Sequence, residues 1–355
     1  MTMAPAAAGL PSESPFRSAN SPGFAGLLES LGITLLVTTY QAGKLMAVRG
    51  CEGRTSTLLR TFDRPMGLAV SGPQFALGTR SQIWLFRNAP DLAPQMPPAG
   101  KHDACFLPRV SYVTGDIRSH EMAWIDGELW IVNTFFSCLS TLDPRYSFVP
   151  RWHPPFLATA TPGDHCHLNG LAVADGKVRY VTALGETQTP EGWRPGKADG
   201  GVLIDVPADA VLARGFSMPH SPRVHAGRLW LLESGTGQLL TVEPETGKRV
   251  TIAQLPGFTR GLAFAGAFAF VGLSKIRETN LFGNLPITAK GGELSCGIWV
   301  VDMRSGQIVQ FMQFEAGVEE IFAVEVLPGL RFPEILGFQH EAIHGTFIIP
   351  ESKSS

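Results

Sequence analysis

The sequence predicts an all-β chain folded as a six-bladed β-propeller closed by its own N- and C-terminal strands, with seven blades as the alternative. Two observations predict it. A phrase made of a small or acidic residue, an apolar run and a Gly turn recurs at Gly67–Gly72, Glu121–Gly127, Gly170–Gly176, Ser221–Gly227 and Gly261–Gly266. Self-similarity at a period of about 40–54 residues marks a repeat architecture. The two ends of the chain also carry incomplete units that complete each other.

Each phrase reads as an innermost strand and its turn. After the turn comes a second apolar run: Phe75–Thr79, Leu129–Thr134, Val178–Thr182, Leu229–Ser234 and Phe268–Ser274. Short runs rich in β-branched and aromatic residues, joined by Asp-Gly, Ala-Gly or Ser-Gly, are hairpins. A third strand follows at Ile83–Phe86, Leu139–Asp143, Val202–Val206, Leu239–Glu243 and Ile298–Asp302, and a fourth at Phe148–Trp152, Arg249–Ala253 and Ile308–Met312. Four antiparallel strands per unit make a blade. Glu320–Gly329 reads as an innermost strand without followers, and Ile33–Thr39, Lys44–Arg49 and Thr57–Phe62 as three outer strands without an innermost one. Joined, they close the ring and remove exposed edges. The competing reading is a β-sandwich or two stacked β domains, where short strands and Gly turns also occur.

Residues 1–22, rich in Ala, Pro and Ser, read as a disordered tail, 23–338 as a single propeller domain and 339–355 as a C-terminal tail. The N-terminal residues lack the apolar core of a signal peptide. No apolar stretch is long enough to span a bilayer. With 29 Lys and Arg against 31 Asp and Glu and no basic run, neither nucleic acid nor a membrane surface is an expected partner. Five cysteines form no CxxC pair, so reduced thiols and a cytoplasmic location are expected, and a zinc ribbon is not.

Blade geometry sorts the residues onto two faces. Innermost strands start at one rim of the central channel, and the loops between second and third strands return to that rim. The hairpin turns lie on the opposite face and carry only turn chemistry. The strand-start rim is different: it collects Met66, His120, Asn169, His220, Arg260 and Glu319, with Glu121 and Glu320 beginning their strands. The returning loops add Tyr40, Gln41, Lys44, Arg80, Glu186, Glu233, Lys275, Arg277 and Glu278. A site built from many loops on a rigid scaffold is expected at such a mouth.

His120 and His220 share a repeat position, with His167 near it, and two or three neutral imidazoles with a carboxylate suit one divalent metal ion. His120, His167 and His220 are therefore the expected metal ligands. Glu320, Arg260, Glu121 and Lys275 are the expected catalytic groups, with Arg260 or Lys275 holding an anionic substrate group. Without a metal, the same histidines and Glu320 serve as general acid and base. Asn169, Arg223, Tyr40, Gln41, Lys44, Glu186, Trp193 and Arg277 are the expected substrate contacts, Trp193 and Arg194 capping the site from the long insertion after the second strand of blade three. In the cluster Asp164–Asn169, strand alternation turns His165 and His167 one way and Cys166 the other. Taken singly, each histidine also fits a turn or core hydrogen bond, and Arg260 with Glu319 or Glu320 fits an ion pair between blades.

Several runs are similar to a known family: Thr39–Lys44 (TYQAGK), Arg64–Ala69 (RPMGLA), His120–Trp124 (HEMAW), Cys166–Ala172 (CHLNGLA), Met218–Arg223 (MPHSPR), Gly272–Glu278 (GLSKIRE) and Gly317–Phe322 (GVEEIF). Over about residues 24–338 the chain resembles an uncharacterised bacterial family, sometimes associated with tetratricopeptide-repeat proteins. The resemblance implies the domain limits and a possible tetratricopeptide partner, and it implies no activity. A looser likeness to six-bladed lactonases and lyases is one of fold. Their Glu, Asn, Asn, Asp calcium set has no clear counterpart here.

Two functions compete at this stage. One is an enzyme acting on a small polar or peptide-like substrate at the His-rich mouth, as a lyase, hydrolase or oxidoreductase. The other is a non-catalytic module that binds a ligand or protein, with Phe135, Phe136 and Trp193 as exposed anchors.

Overall fold

The computed structural model describes residues 16–275, 284–289 and 291–350. Its strands form six small sheets, antiparallel but for one short added strand, arranged as a ring. Blade one runs through Leu68–Ser71, Gln74–Gly78, Gln82–Asn88 and Cys105–Val113, and blade two through Ser119–Ile125, Glu128–Asn133, Cys138–Asp143 and Tyr146–Trp152. Blade three holds Leu168–Ala174, Lys177–Ala183, Gly201–Asp205 and Ala210–Phe216; blade four holds Pro219–His225, Arg228–Glu233, Gln238–Val242 and Arg249–Gln254. Blade five consists of Phe258–Ala265, Phe268–Ser274, Gly297–Asp302 and Ile308–Ala316. The six-bladed expectation holds, and seven blades are not formed.

Blade six is the junction of the two chain ends. Its innermost strand, Ala323–Pro328, pairs antiparallel with Ile33–Thr39, from Ala323 opposite Thr38 to Pro328 opposite Ile33. Lys44–Cys51 and Arg54–Thr61 complete it. The register follows from the apolar content of both partners: Leu35, Leu36, Val37, Val324 and Leu327 are all buried between blades.

Two blades gain a fifth strand, which the sequence reading did not anticipate. Arg17–Asn20, assigned above to the disordered tail, instead pairs with Ile308–Ala316 at the rim of blade five. Glu334–Ile335 runs parallel to Cys105–Phe106 at the rim of blade one. Both additions cover edge strands whose free N–H and C=O groups would otherwise face solvent. Polar Arg17–Asn20 has no apolar signature because all four residues are exposed; backbone pairing with Ile308–Ala316 places it in the sheet. The helix Phe24–Leu31 then caps blade six with Phe24, Ala25 and Leu28 buried, and ends at Gly32 in the left-handed conformation. Beyond residue 338, a short 3-10 helix at Glu341–Gly345 follows, and Ala342 and Ile348 pack on the cluster around Cys105 and Leu107.

Hydroxyl groups stitch neighbouring blades at the mouth. Thr38, Thr134, Ser234 and Ser274, each at the end of a second strand, donate to the carbonyls of Met66, Leu168, Thr259 and Ile321 at 2.6, 2.5, 2.5 and 3.1 Å. Each acceptor opens the innermost strand of the next blade. In blades two, four, five and six this Thr or Ser is thus an inter-blade tie that holds the strand-start residues in place, whereas Thr79 and Thr182 bond within blades one and three.

Candidate functional site

A cavity of about 360 Å³ opens at the strand-start mouth of the channel. That volume suits a small ligand. His120, His167, His220, Arg260, Glu320, Trp193 and Tyr40, all expected at the site, line it.

The backbone aims these side chains by a repeated device. Arg64, Arg118, His167 and Met218 stand two residues before the strand-start residues Met66, His120, Asn169 and His220 of blades one to four, with φ of 49, 53, 50 and 48°. Left-handed non-glycine residues are uncommon. All four side chains line the cavity.

The turned carbonyls fix the histidines. His120 Nδ1 lies 3.0 Å from the Arg118 carbonyl and 2.7 Å from Thr134 Oγ1. His220 Nδ1 lies 2.9 Å from the Met218 carbonyl and 2.9 Å from Ser234 Oγ. Each hydroxyl proton is already donated to the next blade, so Nδ1 must carry the proton on both rings. Nε2 is left as an acceptor. Burial holds both imidazoles well below their usual range, with His167 then Arg260 adding to the effect at His120 and Arg260 at His220. Both rings are neutral at pH 7.

His167 is held differently. Its Nδ1 lies 2.8 Å from the buried Asp164 carboxylate, which Arg118 also contacts at 2.8 Å. Its ring sits edge-on to His120, centroids 4.9 Å apart, and 4.4 Å from the Trp193 ring. The expected alternation does not hold here, because Asp164 and His167 are left-handed and His165 does not line the cavity beside His167; Cys166 is nonetheless fully buried. Burial pushes its thiol up to about 12, which removes it as a nucleophile at neutral pH. Among the described residues, no three His, Cys, Asp or Glu side chains are gathered so as to hold a metal ion.

Arg260 is buried beneath the mouth with its guanidinium 3.6 Å over the Phe322 ring. Its only carboxylate contact among the described residues is Glu320 Oε1, at 3.5 Å. Burial lowers its pKa to about 10, against the opposing pull of Glu320. The buried Trp193 Nε1–H, at the same cavity, has no hydrogen-bond partner among the described residues.

Other expected site residues stand elsewhere. Glu121 and Arg223 form an ion pair of 2.7 Å inside the channel, where Arg223 also reaches Glu325 at 3.5 Å. Glu121 further accepts from the Leu171 N–H. These three side chains come from blades two, four and six and cross the channel instead of lining the mouth. Asn169 is buried, donating to the Pro219 carbonyl and accepting from Thr182. Lys275 pairs with Glu293, Glu186 with Arg214, and Lys44 donates to Thr61. Gln41 is exposed away from the cavity. Arg277 and Glu278 lie outside the described residues.

The sequence reading missed Arg64, Arg118, Met218, Phe258 and Phe322 as cavity residues. For Arg64, Arg118 and Met218 the signal was present, at the same offset before the strand start as His167. Phe322 carried none, because an apolar residue in an innermost strand reads as core.

Comparison with known proteins adds fold and family. The profile of a family described as a domain of unknown function (DUF4915) matches residues 22–336. No curated protein matches the chain. A chain in the crystal structure of a nidogen/laminin complex is similar in fold, with a TM-score of 0.54 and 11% identity, over 84% of this chain and 99% of that one. At that identity the likeness concerns the fold alone. Among the described residues, no helix is long and apolar enough to cross a membrane.

Proposed function

For this chain, which belongs to the DUF4915 domain family, we propose an enzyme that transfers a proton on a small anionic substrate bound at the channel mouth. The observation that carries the reading is the Asp164–His167 pair, 2.8 Å apart, at the wall of a cavity that also holds Arg260. A base whose Nδ1–H is donated to a buried carboxylate keeps Nε2 free and stabilises the imidazolium formed when it takes a proton. Arg260 holds the substrate anion, and the neutral His120 and His220 accept hydrogen bonds from substrate N–H or O–H groups.

A divalent ion is the second reading. It is favoured by the three committed Nδ1 protons, the usual second contact of metal-bound histidines. It requires His120, His167 and His220 to draw closer than they stand here. The non-catalytic module is less well supported, because it needs exposed aromatic anchors and Trp193 is buried. A tetratricopeptide partner and a cytoplasmic location enter the proposal only on the resemblance and the cysteine usage.

The test is solvent-deuterium exchange and turnover, followed by NMR, for a panel of small carboxylates and their esters in D2O, alongside metal analysis of the purified protein. Turnover that falls at least a hundredfold in both His167→Asn and Asp164→Asn supports the reading. Turnover untouched by either substitution would overturn it. Stoichiometric metal, lost in a His120→Ala/His220→Ala double variant, would select the second reading.

A further inference from the structure

We infer that the ligand of this mouth is a small aryl or similarly flat organic carboxylate, which docks on Arg260 in exchange for the resident side chain of Glu320. The inference rests on the reading of the mouth as a small-molecule site and names the class of molecule it takes.

Three observations point the same way. Arg260 is nine-tenths buried, yet its guanidinium meets a single carboxylate oxygen at 3.5 Å. A guanidinium offers five donors in a planar fork and pairs best with both oxygens of one carboxylate. The contact with Glu320 is too long and too one-sided to satisfy it. Glu320 itself is about a quarter exposed and lines the cavity, so it can swing toward water when another carboxylate takes the fork.

The second observation is the orphaned donor. Trp193 is 2% exposed and lines the cavity, and its Nε1–H has no partner among the described residues. Buried donors are nearly always satisfied, and a lone one beside a cavity points to an acceptor that arrives with a ligand. Nε1 is sealed from solvent in this structure, so a ligand oxygen supplies that acceptor only when the ring turns toward the cavity on binding.

Third, the walls are flat. Trp193, Phe258, Phe322 and Tyr40 face the cavity from blades three, five and six. Ring faces and edges of this kind accommodate a planar apolar body.

Charge favours a carboxylate over a phosphate. Five arginines line the cavity, but Arg118 and Arg194 are engaged by Asp164 and Glu191, and Arg80 lies 3.7 Å from Asp116. Arg64 has no carboxylate partner among the described residues, and it is exposed at the rim. One buried guanidinium beside neutral imidazoles matches a single negative charge. A dianion would leave one charge poorly compensated at the buried end.

Calorimetric titration of the full chain with benzoate, phenyl phosphate and acetate tests this. Benzoate is expected to bind more tightly than either other probe. Arg260→Met should weaken it at least tenfold, Arg260→Lys by less, and Trp193→Phe, which keeps a ring and removes the donor, by about fivefold. Glu320→Gln should tighten it about threefold, because the competing carboxylate is gone. A Glu320→Gln variant that binds benzoate more weakly would show that Glu320 only props Arg260, and would overturn the exchange. Tighter phenyl phosphate binding would overturn the carboxylate assignment. Benzoate binding as tight in Arg260→Met as in the unsubstituted chain, with the variant folded by circular dichroism, would overturn the site. A chain that binds benzoate through Arg260 but turns over no compound would sink the catalytic proposal and leave this one standing.

Discussion

At the scale of single residues, the mouth is a place where local cost is accepted for orientation. A left-handed non-glycine residue costs about 1–3 kcal/mol unless its surroundings over-determine it. At Arg118 and Met218 the compensation is visible, since each turned carbonyl accepts the Nδ1 proton of the histidine two residues on. The channel carries a second cost, in the Glu121–Arg223–Glu325 crossing, where two carboxylates share one guanidinium. Burial pushes the Glu325 carboxyl up from 4.5 to about 7, Arg223 opposing the rise and Glu121 adding to it. The unfolded chain releases this proton near its ordinary value, while the folded chain keeps it until about pH 7. In that window the native state binds more protons, so this group makes stability fall as pH rises from about 4.5 to about 7 and stay lowered above it. About a quarter of the side chain is exposed, which screens the effect to roughly 2 kcal/mol. Glu325→Gln is expected to raise stability by about that amount at pH 8 and to change little at pH 4, with Glu121 still pairing Arg223. Urea unfolding at the two pH values checks it, and equal destabilisation at both would refute the account.

At the scale of the blade, glycine at the strand start sets how closely neighbours approach. A Cβ on Gly170 would meet the Pro222 ring, Thr182 Oγ1 at 2.6 Å and Glu121 Oε2 at 3.0 Å, the last two already committed to hydrogen bonds. Gly170→Ala is expected to cost about 1–3 kcal/mol by overpacking. Gly26, on the exposed side of the helix Phe24–Leu31, has nothing within 4 Å. Gly26→Ala should therefore gain up to about 1 kcal/mol from helix propensity. Opposite signs in denaturant midpoints confirm the pair of statements, and equal signs contradict them. The blades were legible because their signals are local: apolar runs, Gly turns and closing Thr or Ser recur within each unit. The outer strands Cys105–Val113 and Ala210–Phe216 were harder to see, because outer strands are half exposed and their apolar pattern is broken. The strand-start histidines and Arg260 were legible as a set because repeat position is also spatial position. The pairing of Glu121 with Arg223 across the channel was not, since it joins blades two and four through a bulged strand. Asp164 as the partner of His167 depends on two successive left-handed turns, which spacing alone does not reveal.

At the scale of the whole molecule, the ring and its site close together. Tyr40 comes from the N-terminal part of blade six and Glu320 and Phe322 from its C-terminal part, while Arg260 on blade five stacks on Phe322 and pairs with Glu320. The mouth is therefore complete only when the last strand has docked on Ile33–Thr39. That docking also carries much of the stability. Val318, Ile321, Phe322, Val324, Leu327, Ile335 and Leu336 are all buried, and full burial of such side chains is worth roughly 1.5–3 kcal/mol each. Their sum exceeds about 10 kcal/mol, within the range of a typical domain's entire stability of about 5–15 kcal/mol. A chain ending at Gly317 would also expose the edge of Ile33–Thr39, fully buried and rich in β-branched residues, as a template for pairing between molecules. Such a truncation is expected to lose the near-ultraviolet circular dichroism of the full chain, to elute as aggregates, and to bind no benzoate. Removing residues 351–355 instead, which leaves the docking strand intact, should change none of the three. A truncated chain at Gly317 that remained monomeric with unchanged dichroism would mean that five blades hold their shape without closure, and that ring and site are energetically separate.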